Sequence, residues 1–208
     1  MDPKERILVK AGEMYIQYGI RSVSMDDIAN NLGMSKKTLY QYYADKDELV
    51  YAVIEAHISK MEGDCLQVKT EANDAIHELF ITMEQIMDEF SNMNPMLLHD
   101  MQKFHFRAFE TFRAHKNKFL AEIIRQNLEA GIAQELYRPD LDIDIITKFR
   151  LESMMIAFDV NVFPPGKYSL GGTTAVIMKM FMYGLVTLKG HKLIQKYNQQ
   201  MSKNLLSN

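Results

Sequence analysis

The chain has 208 residues, of which 24 are Lys or Arg and 27 are Asp or Glu, so its formal charge is 24 − 27 = −3. This length suits one large or two small domains, and a hydrophobic content of 47% is typical of a globular protein. Disordered and collagen-like chains are therefore excluded. The single cysteine, Cys65, cannot form an intramolecular disulfide, and the charged N-terminus does not resemble a signal peptide. We therefore expect a cytoplasmic protein.

One segment, residues 170–188, has some of the character of a membrane helix. A membrane-spanning helix needs about 20 predominantly apolar residues and resists a central charge. Glycines and threonines open this segment, and Lys179 lies within the apolar part that remains. We therefore expect a buried or interface helix and no membrane partner.

The spacing of apolar residues, with only five prolines and ten glycines, predicts an all-α fold. The first four helices are predicted over residues 3–18, 25–31, 36–42 and 46–61. Ser24 and Ser35 stand where helix N-caps are expected, and Gly33 stands where a left-handed turn residue is expected. Two short helices joined by such a turn form a helix-turn-helix, whose second helix enters the DNA major groove.

Three stretches in this segment form a specific pattern: IA at 28–29, LGMSKKTLYQYY at 32–43 and KDEL at 46–49. Over residues 5–57 this pattern resembles the TetR family of bacterial transcriptional regulators. The resemblance implies an N-terminal three-helix DNA-binding domain and a C-terminal helical domain that binds a ligand and dimerises. We place these domains at residues 1–46 and 62–208, joined by a connecting helix at 47–61.

The predicted recognition helix directs two polar side chains toward DNA. At about 100° per residue, Lys37 and Gln41 lie nearly opposite the inward-facing Leu39. Lys can donate to guanine, and Gln can pair with adenine. Serine caps can bind phosphate at helix N-termini, and Tyr42 and Lys46 match family positions that hold the DNA backbone. The predicted DNA-binding residues are Ser24, Ser35, Lys36, Lys37, Thr38, Tyr40, Gln41, Tyr42 and Lys46.

The N-terminal segment lacks an overall basic charge. Residues 1–60 contain eight Lys plus Arg and nine Asp plus Glu, a net of 8 − 9 = −1. Nucleic-acid-binding domains are usually basic, so we expect modest non-specific affinity. A homodimer that binds two half-sites of a palindromic double-stranded operator would compensate for it.

The second domain is predicted to contain helices over residues 72–91, 95–109, 111–137, 140–163 and 170–197. Its Met-rich and aromatic faces are interpreted as the lining of an effector pocket, and core packing is the other interpretation of the same residues. The candidate ligand-binding residues are Met83, Met87, Phe90, Met101, Phe104, His105, Phe109, Phe149, Met154 and Phe158. The last two predicted helices are also expected to form a four-helix dimer interface. Its candidate residues are Ile156, Val160, Ala175, Met178, Met182 and Leu185.

These features predict a ligand-responsive repressor that a small hydrophobic effector releases from its operator, with the fourth helix as a rigid connection between the two sites. One alternative is a metal-dependent phosphohydrolase-like enzyme, suggested by His99-Asp100 with His77 upstream. Another is a dimeric interaction protein without an effector response. We expect no catalytic residues, no metal site and no cofactor.

Overall fold

The computed structural model describes residues 2–206, with side-chain environments through residue 200, and within this range the chain forms eleven α-helices. The helices are α1 (Pro3–Tyr18), α2 (Met25–Asn31), α3 (Lys36–Tyr42), α4 (Lys46–Glu71), α5 (Ala75–Phe90), α6 (Leu97–Phe104), α7 (Phe106–His115), α8 (Ala121–Ala133), α9 (Ile143–Met155), α10 (Leu170–Leu185) and α11 (Leu188–Leu206). A π-helical turn at Lys116–Leu120 joins α7 to α8, and a 3-10 turn at Ile156–Phe158 follows α9. The predicted all-α fold is confirmed.

The bounds of α1, α2 and α3 agree with the predicted helices. The fourth helix does not, because α4 continues for ten residues beyond the predicted end at residue 61. Gly63 lies inside the helix, where a glycine costs only about 1 kcal/mol relative to alanine. Burial of Val68 further along the helix favours its continuation. At about 1.5 Å per residue, the 26 residues of α4 extend for roughly 39 Å.

The helix boundary predicted at residues 109–111 is wrong. The helix predicted over residues 95–109 breaks at His105, whose φ of −133° and ψ of 62° are not helical. No break occurs near residue 110, because α7 passes through it. The His105 ring lies 2.7 Å from the carboxylate of Asp47 on α4, so a long-range contact accompanies this break.

The predicted helix over residues 170–197 is interrupted between α10 and α11. Val186 is extended, with ψ of 148°, and forms an isolated antiparallel bridge with Tyr137. The backbone N–H of Arg138 donates to Leu185, and that of Thr187 donates to Leu136, both at 2.9 Å. The connection from α8 to α9 therefore pairs with the chain at the break. The helix predicted over residues 140–163 is also shorter, because α9 gives way to the 3-10 turn.

The hydrophobic core connects the N-terminal helices to the rest of the molecule. Met101 from α6 and Ala108 from α7 are buried in the same cluster as Leu39 and Leu49. A second cluster joins α5, α8, α10 and α11. Since α6 and α7 share a core with α1 to α4, a rearrangement of either helix must repack the base of the N-terminal unit.

A buried polar network holds the corner after α8. The hydroxyl of Tyr137 lies 3.0 Å from the carbonyl oxygen of Ala75 and 3.0 Å from the side-chain oxygen of Asn127. The amide nitrogen of Asn127 donates to the same carbonyl at 3.0 Å. The Tyr137 ring lies directly on Gly131, where a Cβ atom would overlap it. This corner therefore requires glycine at residue 131.

None of the helices in the part of the chain that the structure describes is both long and apolar enough to cross a membrane.

Candidate nucleic-acid interface and ligand cavity

The exposed face of α3 presents two uncommitted polar side chains. Leu39 is fully buried, while Lys37 and Gln41 are exposed on the other side of the helix. Neither side chain has a hydrogen bond or ion pair within residues 2–200. The flanking Tyr40 is exposed, and Thr38 is half-buried. The geometry that the helical period predicts for α3 is therefore present.

Both serines act as N-caps. The Ser24 hydroxyl accepts a hydrogen bond from the backbone N–H of Asp27 at 3.1 Å, and the Asp27 carboxylate accepts one from the backbone N–H of Ser24 at 2.8 Å. This reciprocal capping box lowers the pKa of Asp27. Ser35 accepts from the backbone N–H of Thr38 at 3.1 Å. The caps orient α2 and α3, and a phosphate contact by either serine stays a prediction.

Two of the predicted basic contacts have acidic neighbours. Lys36 forms an ion pair with Asp26 at 2.8 Å, and this hydrogen bond raises the pKa of Lys36. Burial lowers the pKa of the half-buried Lys46, although Asp100 and Asp27 oppose that shift. A DNA phosphate must therefore compete with Asp26 for Lys36.

Replacing Asp26 by Asn is expected to strengthen DNA binding by no more than about fivefold, because an exposed ion pair is weak. The substitution frees Lys36 and removes a negative charge from the surface that faces phosphate. Fluorescence anisotropy with specific and unrelated duplexes tests this, and both affinities should rise together. An unchanged affinity for both duplexes would show that Lys36 does not contact DNA.

A cavity of about 220 Å³ lies inside the C-terminal helices. A single water needs only roughly 10–15 Å³ on such a measure, so the cavity has room for a small molecule. Its wall includes residues of α4, α5, α6, α8, α9 and α10. Four of the predicted ligand-binding residues line it, namely Phe90, Met101, Met154 and Phe158.

Six predicted ligand-binding residues do not line this cavity. Met83 is packed in the core, and Phe109 lines a neighbouring surface cleft. His105 is held by Asp47. Three others are exposed on the outer surface: Met87, Phe104 and Phe149. For Phe104 and His105 the cause is the break in the helix at residue 105. Met87 and Phe149 lie on the outer faces of α5 and α9, which apolar spacing alone did not distinguish from the inner faces.

Sequence reasoning missed the polar groups of the cavity. Arg150 on α9 is 4% exposed, and one of its terminal nitrogens is buried without a hydrogen-bond acceptor. The Thr174 hydroxyl on α10 is also buried without a partner. The available signal was a single arginine between Phe149 and Leu151 in a helix with many apolar residues.

The neighbouring cleft, of about 400 Å³, opens on the surface beside the cavity. The cleft and the cavity share five lining residues: Leu98, Phe112, Lys116, Met155 and Phe158. Lys116 is nearly buried and donates to Glu152 at 2.7 Å. This ion pair lies in the wall that separates the cleft from the cavity.

Three histidine–carboxylate contacts join α4 to the helices around it. Asp47 lies 2.7 Å from His105, between α6 and α7, and His57 lies 3.2 Å from Glu89 on α5. Glu62 lies 3.1 Å from His115, whose pKa burial lowers. Polar contacts thus attach α4 to its neighbours at three positions, Asp47, His57 and Glu62.

Three of the predicted interface residues are buried within their own chain. Met178, Met182 and Leu185 each have 2% exposure, because they face the core formed with α5 and α8. These three side chains are therefore not accessible to a second chain in this structure, and the predicted interface stays a prediction. Val160 and Ala175 are half-buried, and Ile156 is exposed. The outward face instead carries apolar residues that the prediction missed: Val176, Met180, Tyr183 and Leu188.

The sequence model described as "Bacterial regulatory proteins, tetR family" matches residues 7–53, which include α2, α3 and the start of α4. The chain therefore carries the DNA-binding domain of the TetR family. It is 37% identical over 114 residues to the HTH-type transcriptional regulator YvaF of Bacillus subtilis, an alignment that covers 53% of this chain and 58% of YvaF. It is 23% identical over 172 residues to the HTH-type transcriptional repressor KstR2 of Mycolicibacterium smegmatis, which covers 78% of this chain and 80% of KstR2.

Solved structures of TetR-family proteins have the same fold. The KstR2 structure from Mycobacterium tuberculosis matches with a TM-score of 0.62 at 18% identity and covers 89% of this chain and 96% of that chain. A TetR-family regulator from Agrobacterium tumefaciens matches with a TM-score of 0.74 at 16% identity and covers 88% of this chain and 97% of that chain. The helical second domain therefore has the fold of these solved regulators.

The chain is a DNA-binding transcriptional regulator. The phosphohydrolase alternative has no support among its relatives, which are named as transcriptional regulators. Asp100 of the His99-Asp100 pair is buried and accepts a hydrogen bond from the backbone N–H of Arg21 at 2.9 Å. That carboxylate therefore joins α6 to the turn after α1.

Proposed function

We propose that this TetR-family regulator is a homodimeric repressor that a small-molecule effector releases from a palindromic operator. Residues 1–46 form the DNA-binding domain in this proposal, and residues 62–208 form the effector-binding and dimerisation domain. The observation that supports it is the path of α4, which starts at Lys46 beside α3 and supplies Ile54, Met61 and Val68 to the cavity wall.

The proposed mechanism is a displacement of α4. A continuous helix is stiff, so a shift of its cavity-lining part must move the end beside α3. An effector that prefers a displaced α4 changes the separation of the two recognition helices in the dimer. A dimer fitted to half-sites about one DNA turn apart then loses its operator.

The nature of the effector is set by the cavity rather than by the family. One structural relative is named as a ketosteroid transcriptional regulator, and another was solved in complex with choline. The cavity here is mostly apolar, with contributions from Ile86, Leu120 and Met154. It therefore favours an amphipathic effector with a substantial apolar part.

Two experiments test the proposal. Footprinting of the DNA around the regulator's own gene should show a protected palindrome, and its absence would contradict operator binding. A thermal-shift screen of small molecules, followed by operator titrations with each hit, tests release. Linkage requires operator and effector to weaken each other's binding by the same factor. If every hit that stabilises the protein left operator affinity unchanged, release would be refuted and DNA binding would not.

We propose that the dimer forms through the outward face of α10 and the start of α11. Met180 is 72% exposed and Leu188 is 85% exposed, with Val176 and Tyr183 on the same surface. Gly184 between them is exposed and has nothing within 4 Å of a Cβ position, which leaves space for close approach of a second chain. An apolar surface of this kind indicates a protein interface.

Replacing Met180 by Glu is expected to weaken dimerisation by at least about 3 kcal/mol, because it buries an unpaired carboxylate at the interface. Sedimentation velocity at micromolar concentration should then show a monomer. Leu66→Glu is the matched control, since Leu66 is 54% exposed on α4 and lies outside the proposed interface. A Met180→Glu protein that remains a dimer would place the interface elsewhere.

A further inference from the structure

We propose that the effector is a carboxylate-bearing amphiphile whose carboxylate pairs with Arg150 while its apolar tail fills the cavity. This inference rests on the proposed effector function and specifies the chemistry of its ligand. The buried guanidinium of Arg150 is the feature that carries it.

Arg150 is a buried charge without a counterion. It is 4% exposed and lines the cavity. Among the described residues it has no ion pair and no side-chain hydrogen bond, and its Nη1 atom is fully buried without an acceptor. Burial lowers its pKa to about 10, so the guanidinium remains charged at neutral pH. A buried unpaired charge is costly to a folded protein, so it points to a missing partner.

The carboxylates around α9 and the cavity do not supply that partner. Glu152 is bonded to Lys116 at 2.7 Å, and Asp144 is bonded to Lys148 at 2.7 Å. Glu89 in the cavity wall faces His57. The other two carboxylates of that wall, Asp64 and Glu78, form no ion pair with Arg150. Burial alone accounts for the lowered pKa of Arg150, and no carboxylate lies close enough to raise it. The counterion must therefore come from outside the described chain.

The surroundings of the guanidinium suit a carboxylate. Its central carbon lies 5.2 Å from the centre of the Phe181 ring, within the range of a cation–π contact. Its Nη1 atom has no acceptor, and a planar carboxylate is the acceptor that a guanidinium binds through two oxygens. Thr174, on the same face of α10, contributes a second buried polar atom without a partner to the same cavity. Two unpaired polar groups in one apolar cavity indicate a ligand with a polar end.

The burial of Arg150 excludes larger partners. A side chain that is 4% exposed is out of reach of a DNA phosphate or of a carboxylate on a second protein chain. Only a small molecule that enters the cavity can contact it. The rest of the wall is largely apolar, with Leu79, Ile86, Met154 and Phe158 among its residues, so the remainder of that molecule must be apolar.

Isothermal titration of the full-length protein with three ten-carbon probes tests the inference. Decanoate carries the carboxylate, decan-1-ol has the same tail without charge, and decyltrimethylammonium carries the opposite charge. Decanoate is expected to bind at least tenfold more tightly than either of the others. Equal affinity for decanoate and decanol, no binding of decanoate, or a preference for the cation would overturn the proposal.

Arg150→Met is expected to lower decanoate affinity at least tenfold and to leave decanol affinity unchanged. Arg138→Met is the matched control, because Arg138 is exposed and lies outside the cavity lining, and it should leave both affinities unchanged. Arg150→Met should also raise the melting temperature of the ligand-free protein, because the variant removes an uncompensated buried charge. A lower melting temperature with unchanged decanoate affinity would show that Arg150 has only a structural role. If the variant does not fold, the titrations of the wild-type protein with the three probes decide the proposal.

Because these titrations contain no DNA, their outcome is independent of the proposed release. Binding of decanoate through Arg150 would support the inference even if operator affinity stayed unchanged, because a ligand that fits both positions of α4 equally well does not shift the equilibrium. An uncharged effector that releases the operator equally from wild type and Arg150→Met would support release and refute the inference.

Discussion

Gln41→Ala is expected to weaken operator binding by about 1–3 kcal/mol for each half-site, the value of a good base contact. The proposed dimer carries the substitution twice, so the total loss is roughly 2–6 kcal/mol. Gln41 is exposed on the side of α3 opposite Leu39 and has no partner within residues 2–200 to replace. Lys37→Ala should weaken operator binding by a similar amount. The Lys37 variant should lose the preference for a guanine, and the Gln41 variant the preference for an adenine.

Anisotropy titrations against the operator and its single-base variants measure this effect. For each protein variant, one base position of the operator should stop mattering. A base change at that position should no longer lower the affinity, because the side chain that discriminated there is missing. Tyr42→Ala and Lys46→Ala should instead weaken all duplexes alike, and the lysine variant should reduce the salt slope by about one. Gln17→Ala on the exposed part of α1 is the matched control. An equal loss on specific and unrelated DNA would remove Gln41 from base readout.

Gly131→Ala is expected to lower the free energy of unfolding by about 3 kcal/mol, at the upper end of ordinary overpacking. The new methyl group would overlap the ring of Tyr137. That ring cannot move freely, because its hydroxyl lies 3.0 Å from both Ala75 and Asn127. The gain of about 1 kcal/mol in helix propensity from glycine to alanine does not offset the overlap.

Urea denaturation followed by circular dichroism measures the change. Gly63→Ala provides the matched control, since Gly63 is exposed in α4 with nothing within 4 Å of its Cβ position. This second variant should gain about 0.5–1 kcal/mol, because alanine is the better helix former. If both variants gained stability, the Tyr137 ring would have an alternative position and the corner after α8 would not be rigid.

The N-terminal helices were predictable because their signals are local. Ser24, Gly33 and Ser35 determine the ends of α2 and α3 through contacts within four residues of each other. The same holds for the exposed positions of Lys37 and Gln41, which follow from helical periodicity once Leu39 is placed inward. Helix bounds, fold class and the exposed face of α3 therefore followed from the sequence.

The cavity and the ends of the later helices depend on contacts distant in the sequence. The break at His105 coincides with a contact to Asp47, 58 residues away, and the break at Val186 coincides with pairing to Tyr137. The apolar faces of α9 and α10 point both inward and outward, so periodicity did not separate core residues such as Met178 from exposed ones such as Met180. The sequence places Arg150 among apolar residues, but only its neighbours in space show that it has no counterion.

Because α4 forms only one side of the cavity, the affinity of a molecule for the cavity and its ability to release the operator are separate properties. A ligand shifts a two-state equilibrium only by the difference between its affinities for the two states. A molecule that contacts α8, α9 and α10 and fits both positions of α4 equally well would occupy the cavity at any affinity without inducing transcription. Such a molecule would be a competitive antagonist. The contacts that distinguish inducers from antagonists should therefore be those with the α4 wall.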